Sequence, residues 1–157
     1  MEAMQVRVTR AGAELPKTPE TLAAVRKDLV VSPFLPLNPF PTRFRVYRET
    51  PDAVIVPVHW ARKTFPHAFF KDAAGPGQDV RLEFRGSLRP DLRQPEAVEA
   101  VWAQWQTTRG AMLCLPTGHG KTATSLYLAC RLGKKTLVVV HKDFLAQQWE
   151  ERIAQFC

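Results

Sequence analysis

Polar and apolar residues alternate at a period of two in "MQVRVT" (residues 4–9) and again in "VRLEFRG" (80–86). That period puts successive side chains on opposite faces of a pleated chain, so both stretches predict half-buried strands. "RFRVYRE" (43–49) and "DAVIVPVHW" (52–60), split by Thr50-Pro51, read as a pair of strands, and "LVV" (29–31) as a short one. Between them "TPETLAAVRKDL" (18–29) has a helical pattern, with Thr18 placed as N-cap, Pro19 at the first helical position and Glu20 in the first turn. "SPFLPLNPFP" (32–41) holds four prolines, which excludes a helix or a central strand there. Residues 1–86 therefore read as a small α+β domain.

The pattern changes near Gly86-Ser87. In "PEAVEAVWAQWQ" (95–106) the apolar residues Val98, Val101, Trp102 and Trp105 fall on one helical face, and Pro95 suits a helix start. "GAMLCL" (110–115) is a short apolar strand bounded by glycine and Pro116. "KTATSLYLACRL" (121–132) is helical up to Gly133, a good C-cap residue. "KTLVVV" (135–140) is apolar throughout, as strands buried in parallel sheets are, and "DFLAQQWEERIAQF" (143–156) returns to helical spacing. Strand, loop, helix, strand, helix predicts an α/β unit over residues 87–157, with a parallel βαβ crossover of right-handed sense.

Composition narrows the class. An apolar fraction of 45% with 24% charged residues is that of a globular chain able to bury a core. No apolar run approaches the roughly 18 to 20 residues of a membrane span, and the N-terminus lacks the apolar segment of a secretory leader. Cys114, Cys130 and Cys157 show neither C-x-x-C nor zinc-ligand spacing, and two of them lie inside apolar runs. These features predict an intracellular, reducing location with free thiols. A net charge of +7 raises the expectation of a polyanionic partner, although a solvated basic surface gives the same number.

The chemistry sits in "LPTGHGKTAT" (115–124). A strand ends at Leu115, the chain turns, and a helix begins near Gly120, so successive backbone N–H groups converge at the positive end of a helix dipole. Gly118 and Gly120 allow backbone angles that a side chain would forbid, and Lys121 reaches β- and γ-phosphates. The Thr122 hydroxyl is placed to hold a magnesium ion that also touches those phosphates. The pattern G-x-x-x-x-G-K-[ST] fails at its first position, where Leu115 stands. Its place between an apolar strand and a helix still predicts a nucleotide phosphate loop made of Pro116, Thr117, Gly118, His119, Gly120, Lys121 and Thr122. His119 is expected to contribute its backbone only.

Taken together, "LRPDLRQPEAV", "MLCLPTGHGKTATSLYLAC" and "KKTLVVVHKDFLAQQWEERI" resemble the start of a superfamily-2 helicase. The branch is that of DNA repair and transcription helicases and type III restriction motors, including helicases of large DNA viruses. There a proline after an apolar residue commonly precedes T-G-x-G-K-T, which accommodates Leu115. The resemblance covers about 70 residues, with a weaker match to viral members over residues 29–60. It implies a RecA-like lobe, ATP and Mg2+ as cofactors at the phosphate loop, and DNA as partner. Lys121 would be the catalytic lysine stabilising phosphoryl charge. His141 and Lys142, at the place of motif Ia, would touch the backbone of one nucleic-acid strand, and Gln148 matches a glutamine often found in that motif. Gln94 resembles the glutamine that reads adenine, but it stands two residues later than the usual L-R-P-x-Q, so a solvated glutamine remains the alternative.

An acidic pair for water activation, D-E-x-H or D-E-A-D in such helicases, does not occur in the sequence. The reading is therefore a truncated RecA-like lobe that works with a downstream chain carrying the rest of a motor. Two rivals share parts of the pattern. A catalytically inactive fragment would only bind nucleic acid or a partner. A small-molecule P-loop kinase would share the phosphate loop, yet should also show an arginine-rich lid and an acceptor site.

Overall fold

The N-terminal alternation forms a strand, β1 (Gln5–Thr9), that turns back antiparallel into β2 (Gly12–Pro16). A computed structural model describes residues 4–32 and 42–157 of the chain. It separates into two compact units, Met1–Pro76 and Gly77–Cys157. Most of the proline-rich stretch, residues 33–41, lies outside the described residues.

In the first unit α1 (Pro19–Asp28) starts where the sequence places it. The Thr18 hydroxyl accepts from Thr21 N at 3.2 Å, satisfying one of the donors a helix leaves free at its N-terminus. β3 (Val30–Val31) pairs with β4 (Phe44–Arg45), while β5 (Arg48–Glu49) joins the main sheet. The single strand expected over 43–49 is therefore two, divided where Tyr47 turns into the core.

The expected strand 52–60 also divides. β6 (Ala53–Val56) ends at Pro57, and α2 (Val58–Thr64) follows. Pro57 has no N–H to extend a ladder, but its fixed φ suits the residue that precedes a helix. β7 (Phe69–Asp72), absent from the sequence reading, pairs parallel with β1. The sheet order is β5-β6-β2-β1-β7, antiparallel except at its β1–β7 edge.

Period two is visible in what this sheet buries. Ala13 and Leu15 on β2, Val54 and Val56 on β6 and Val6 on β1 are all buried, and Val25, Leu29, Tyr47 and Ala61 complete the cluster. Fully burying each valine or leucine contributes about 1.5–3 kcal/mol. Gly12 has φ +136, and a β-carbon there would stand 2.5 Å from the Val56 carbonyl oxygen, so only glycine lets β6 pair this closely.

The second unit contains α3 (Gln94–Thr108), α4 (Lys121–Leu132) and α5 (Asp143–Phe156), close to the three helices expected. Gly133 caps α4 with φ +62 as anticipated, its N–H donating to Ala129 O and Cys130 O. Arg131 joins α4 to α3, with its guanidinium 2.5 Å from Glu99 and 4.3 Å over the Trp102 ring. Residues 77–86 belong to this unit. Phe84 meets Tyr127 edge-on at 5.3 Å and stacks on Phe156 at 5.4 Å.

The strands expected at 80–86, 110–115 and 135–140 carry no ladder. Among the described residues of this unit the sole strand-type pairing is one antiparallel bridge between Asp79 and Lys134. A parallel strand exists only through the neighbours that bond its N–H and C=O groups. Here Met112 (85% exposed) and Leu137 (84%) face solvent instead of a packed layer. The chain is thus mixed α/β, and its parallel pairing lies in the first unit. No helix among the described residues is long and apolar enough to cross a membrane.

Candidate phosphate-binding site

The site is assembled at the N-terminus of α4. Thr124 N donates to Gly120 O, which opens the helical ladder, so the amides of Lys121, Thr122 and Ala123 precede it without intrahelical partners. The N-cap is Gly120 at φ +72, with no side chain bonded across the helix end. Gly118, at φ +84, supplies the other left-handed step of the loop. Two such steps before a helix turn successive N–H groups inward, an arrangement that favours a bound anion.

Lys121 lies across the start of the loop. Its Nζ donates to Leu115 O at 2.8 Å and Pro116 O at 3.1 Å. An ammonium has three donors, so one remains for a phosphate oxygen before either carbonyl is given up. Thr122 stands in the first helical turn, half-buried at the pocket wall.

Gln94 is neither solvated nor peripheral. It is 3% exposed; its Oε1 accepts from Arg89 N at 2.9 Å, and its Nε2 donates to His119 O at 3.0 Å. The solvated-glutamine alternative is overturned. The two extra residues before Gln94 are absorbed by a 3-10 turn, Pro90–Leu92, and by Arg93 in the left-handed conformation at φ +55. Gln94 N also donates to Arg89 O at 3.2 Å, so the turn closes on itself and holds the carboxamide under the loop. One lone pair on Oε1 and one N–H on Nε2 are left over.

A pocket of about 750 Å3 opens above this arrangement, a size suited to a small ligand. Gln94, Thr117, Gly118, Gly120, Lys121 and Thr122 line it together, as the sequence reading groups them. Pro116 and His119 line the adjoining hollow of about 520 Å3, with Asp91 and Glu96. His141 and Lys142 line neither. Both are exposed at the start of α5, where Lys142 is the N-cap residue and its Nζ lies 5.8 Å over the Phe144 ring.

Two basic residues on the pocket wall were not singled out from sequence. Arg89 is ion-paired with Asp91 at 2.7 Å, and that hydrogen bond holds the Asp91 carboxyl below the usual carboxylate range. Arg152 projects from α5 beside Gln148 and Phe156 and donates to Gln155 Oε1 at 2.6 Å. Gln148, Arg152 and Phe156 are spaced by four, one face of a helix, and that spacing was the available signal.

The family described as the Type III restriction enzyme, res subunit, matches residues 87–157. The helicase L396 of Acanthamoeba polyphaga mimivirus, named as an ATP-dependent RNA helicase, is 28% identical over 161 residues, which cover 96% of this chain and 30% of that protein. The helicase 161L of Invertebrate iridescent virus 6 is 32% identical over 80 residues, covering 50% of this chain and 17% of the viral protein. The XPB/SSL2 helicase/translocase subunit of the Saccharomyces cerevisiae transcription and repair factor IIH is 26% identical over 89 residues, 57% of this chain and 10% of the yeast protein. The chain spans less than a third of the length of each of these relatives. Over residues 87–157 the chain is similar to the type III restriction family and to viral and XPB helicases, consistent with the N-terminal part of a superfamily-2 helicase of the XPB and type III restriction branch.

Proposed function

We propose that this chain is the ATP-binding, nucleic-acid-engaging portion of an ATP-dependent superfamily-2 helicase or translocase, with residues 87–157 forming part of a RecA-like lobe. The observation that carries the reading is the convergence of Gly118, Gly120, Lys121, Thr122 and the buried Gln94 on one pocket at the N-terminus of α4. The amides of that helix end would take phosphate oxygens, and Lys121 would turn from the loop carbonyls toward the β- and γ-phosphates. The remaining donor and acceptor of Gln94 match the N7 and N6–H edge of adenine.

Magnesium is the metal such a site implies. Thr122 offers one hard oxygen, and Mg2+ typically binds through one or two protein ligands, the substrate phosphates and water, so the residue present fits. Bound there, the ion would neutralise charge on the phosphates. His141 and Lys142 would contact the backbone of one DNA strand. The acidic pair of helicase hydrolysis would come from a later strand and the arginine finger from a second RecA-like lobe, on this polypeptide or a partner.

Calorimetric titration with Mg-ATP tests the proposal. Loss of a charged donor to phosphate costs about 1.5–3 kcal/mol, or roughly 10- to 100-fold in affinity. Lys121→Ala should therefore bind at least about tenfold more weakly with an unchanged circular dichroism spectrum. Equal affinity in the two proteins would refute the phosphate-loop assignment.

A further inference from the structure

Behind the phosphate pocket, the far end of α4 meets the far end of α5 at two thiols. Cys130 Sγ and Cys157 Sγ are 3.7 Å apart, and both are half-buried. They line one cavity of about 450 Å3 together with Trp149, Ile153 and Lys135. A disulfide needs its sulfurs at about 2.05 Å, so closure requires them to approach by about 1.7 Å. Cys157 follows the last helical residue of α5, where its backbone is held by one hydrogen bond, Cys157 N to Ile153 O at 2.8 Å.

We propose that Cys130 and Cys157 are an oxidisable pair, which a hydroperoxide converts to an intramolecular disulfide joining α4 to the end of α5. The partners have different tasks. Burial, the hydrogen bond with Cys157 and the charge of Cys157 push the Cys130 thiol up to about 11. Cys130 therefore keeps its proton, and Cys157, whose sulfur lies 3.7 Å away at the end of α5, is the sulfur oxidised first. The Cys157 sulfur takes one oxygen of hydrogen peroxide, forming an S–O bond as the O–O bond breaks, and the departing hydroxide leaves as water with the proton that Cys157 gives up. Cys130 Sγ then attacks Cys157 Sγ. The S–S bond forms, the S–O bond breaks, and the departing hydroxide carries off the Cys130 proton as a second water. Two thiols and one peroxide give one disulfide and two waters, and a dithiol reductant reverses the product by exchange.

The link would tie two elements that flank the phosphate pocket. α4 presents Lys121 and Thr122 at its opposite end, and α5 presents Gln148, Arg152 and Phe156 to the same pocket. The pair stands independently of what that pocket binds.

The test uses the full chain carrying Cys114→Ser, so that the exposed third thiol cannot exchange. After brief treatment with equimolar hydrogen peroxide, tryptic digestion without reductant should yield peptide 122–131 joined to peptide 153–157. Both free thiols should disappear from a chain that stays monomeric, and dithiothreitol should restore them. In Cys157→Ser on the same background, Cys130 should remain a free thiol at that dose. The proposal fails if the thiols are lost singly as sulfinic or sulfonic acids, if the cross-link forms between chains, or if both thiols survive. Equal oxidation of Cys130 with and without Cys157 would overturn the assignment of Cys157 as the sulfur oxidised first.

Discussion

Gln94 donates its carboxamide N–H to the carbonyl oxygen of His119 at 3.0 Å, joining the first turn of α3 to the middle of the phosphate loop 25 residues later. The same side chain accepts from Arg89 N on its other edge. At 3% exposure neither bond can be replaced by bulk water. Truncation removes two hydrogen bonds to part-buried backbone groups, each contributing about 0.5–1.5 kcal/mol. Gln94→Ala should lower the heat-unfolding midpoint and weaken Mg-ATP binding together. Gln94→Glu should do no better, because it sets an oxygen against the His119 carbonyl. An unchanged midpoint in both variants would show that the strut carries no weight.

The two loop glycines should respond unequally. Both have positive φ, so a side chain at either is strained by about 1–2 kcal/mol. At Gly118 an added β-carbon meets nothing within 4 Å, whereas at Gly120 it runs into the Gln94 amide. Gly120→Ala should therefore destabilise the chain more than Gly118→Ala. Combining Gly120→Ala with Gln94→Ala should cost less than the sum of the single changes, since the collision is then gone. Chemical denaturation of the four proteins measures that coupling, and strict additivity would contradict the packing described.

Helix α4, its Gly133 cap and the left-handed turns at Gly118 and Gly120 were legible because each depends on residues close in sequence: glycine angles and helical spacing. The β6–α2 break was signalled by Pro57, although "DAVIVPVHW" reads as continuous strand when the proline is taken for an edge position. β7 was not legible, because "FFKD" becomes a strand through pairing with β1 more than 60 residues earlier. The apolar runs around Met112 and Leu137 misled for the converse reason. Their composition announces buried strands, but a ladder depends on neighbours that composition does not contain. Gln94 was noticed for its type, while its burial followed from the left-handed Arg93, which no local rule for arginine predicts.

Alkaline pH should act through Cys130. Its folded-state value is raised from 9.0 to about 11, so the folded protein holds this proton where the unfolded chain releases it. A raised value means that the contribution is fully present below the unfolded value and is lost as pH rises through the folded one. Stability should fall between about pH 9 and pH 11, and Cys130→Ser should flatten that part of the profile. Thiolate absorbance at Cys130, followed with Cys114 and Cys157 both changed to serine, should rise at a lower pH than in the protein retaining Cys157. The hydrogen bond and the charge of Cys157 both hold the value up. An unshifted curve would assign the whole effect to burial.

The two ends of α5 should separate nucleotide from nucleic acid. Arg152 lines the phosphate pocket, whereas His141 and Lys142 are exposed at the helix start and line neither hollow of the site. Arg152→Ala should weaken Mg-ATP binding and leave the affinity for single-stranded DNA intact. A double change of His141 and Lys142 to alanine should do the reverse. DNA affinity falls with salt by about 0.7 in log–log slope for each phosphate contact of a single strand. Removing Lys142 together with His141 should therefore lower the slope by about one unit. Fluorescence anisotropy with a labelled oligonucleotide across a salt series, beside calorimetry with Mg-ATP, gives both readings on the same proteins. If the double variant keeps its slope while Arg152→Ala lowers it, the nucleic-acid contact belongs to the pocket face of α5 and not to its N-terminus.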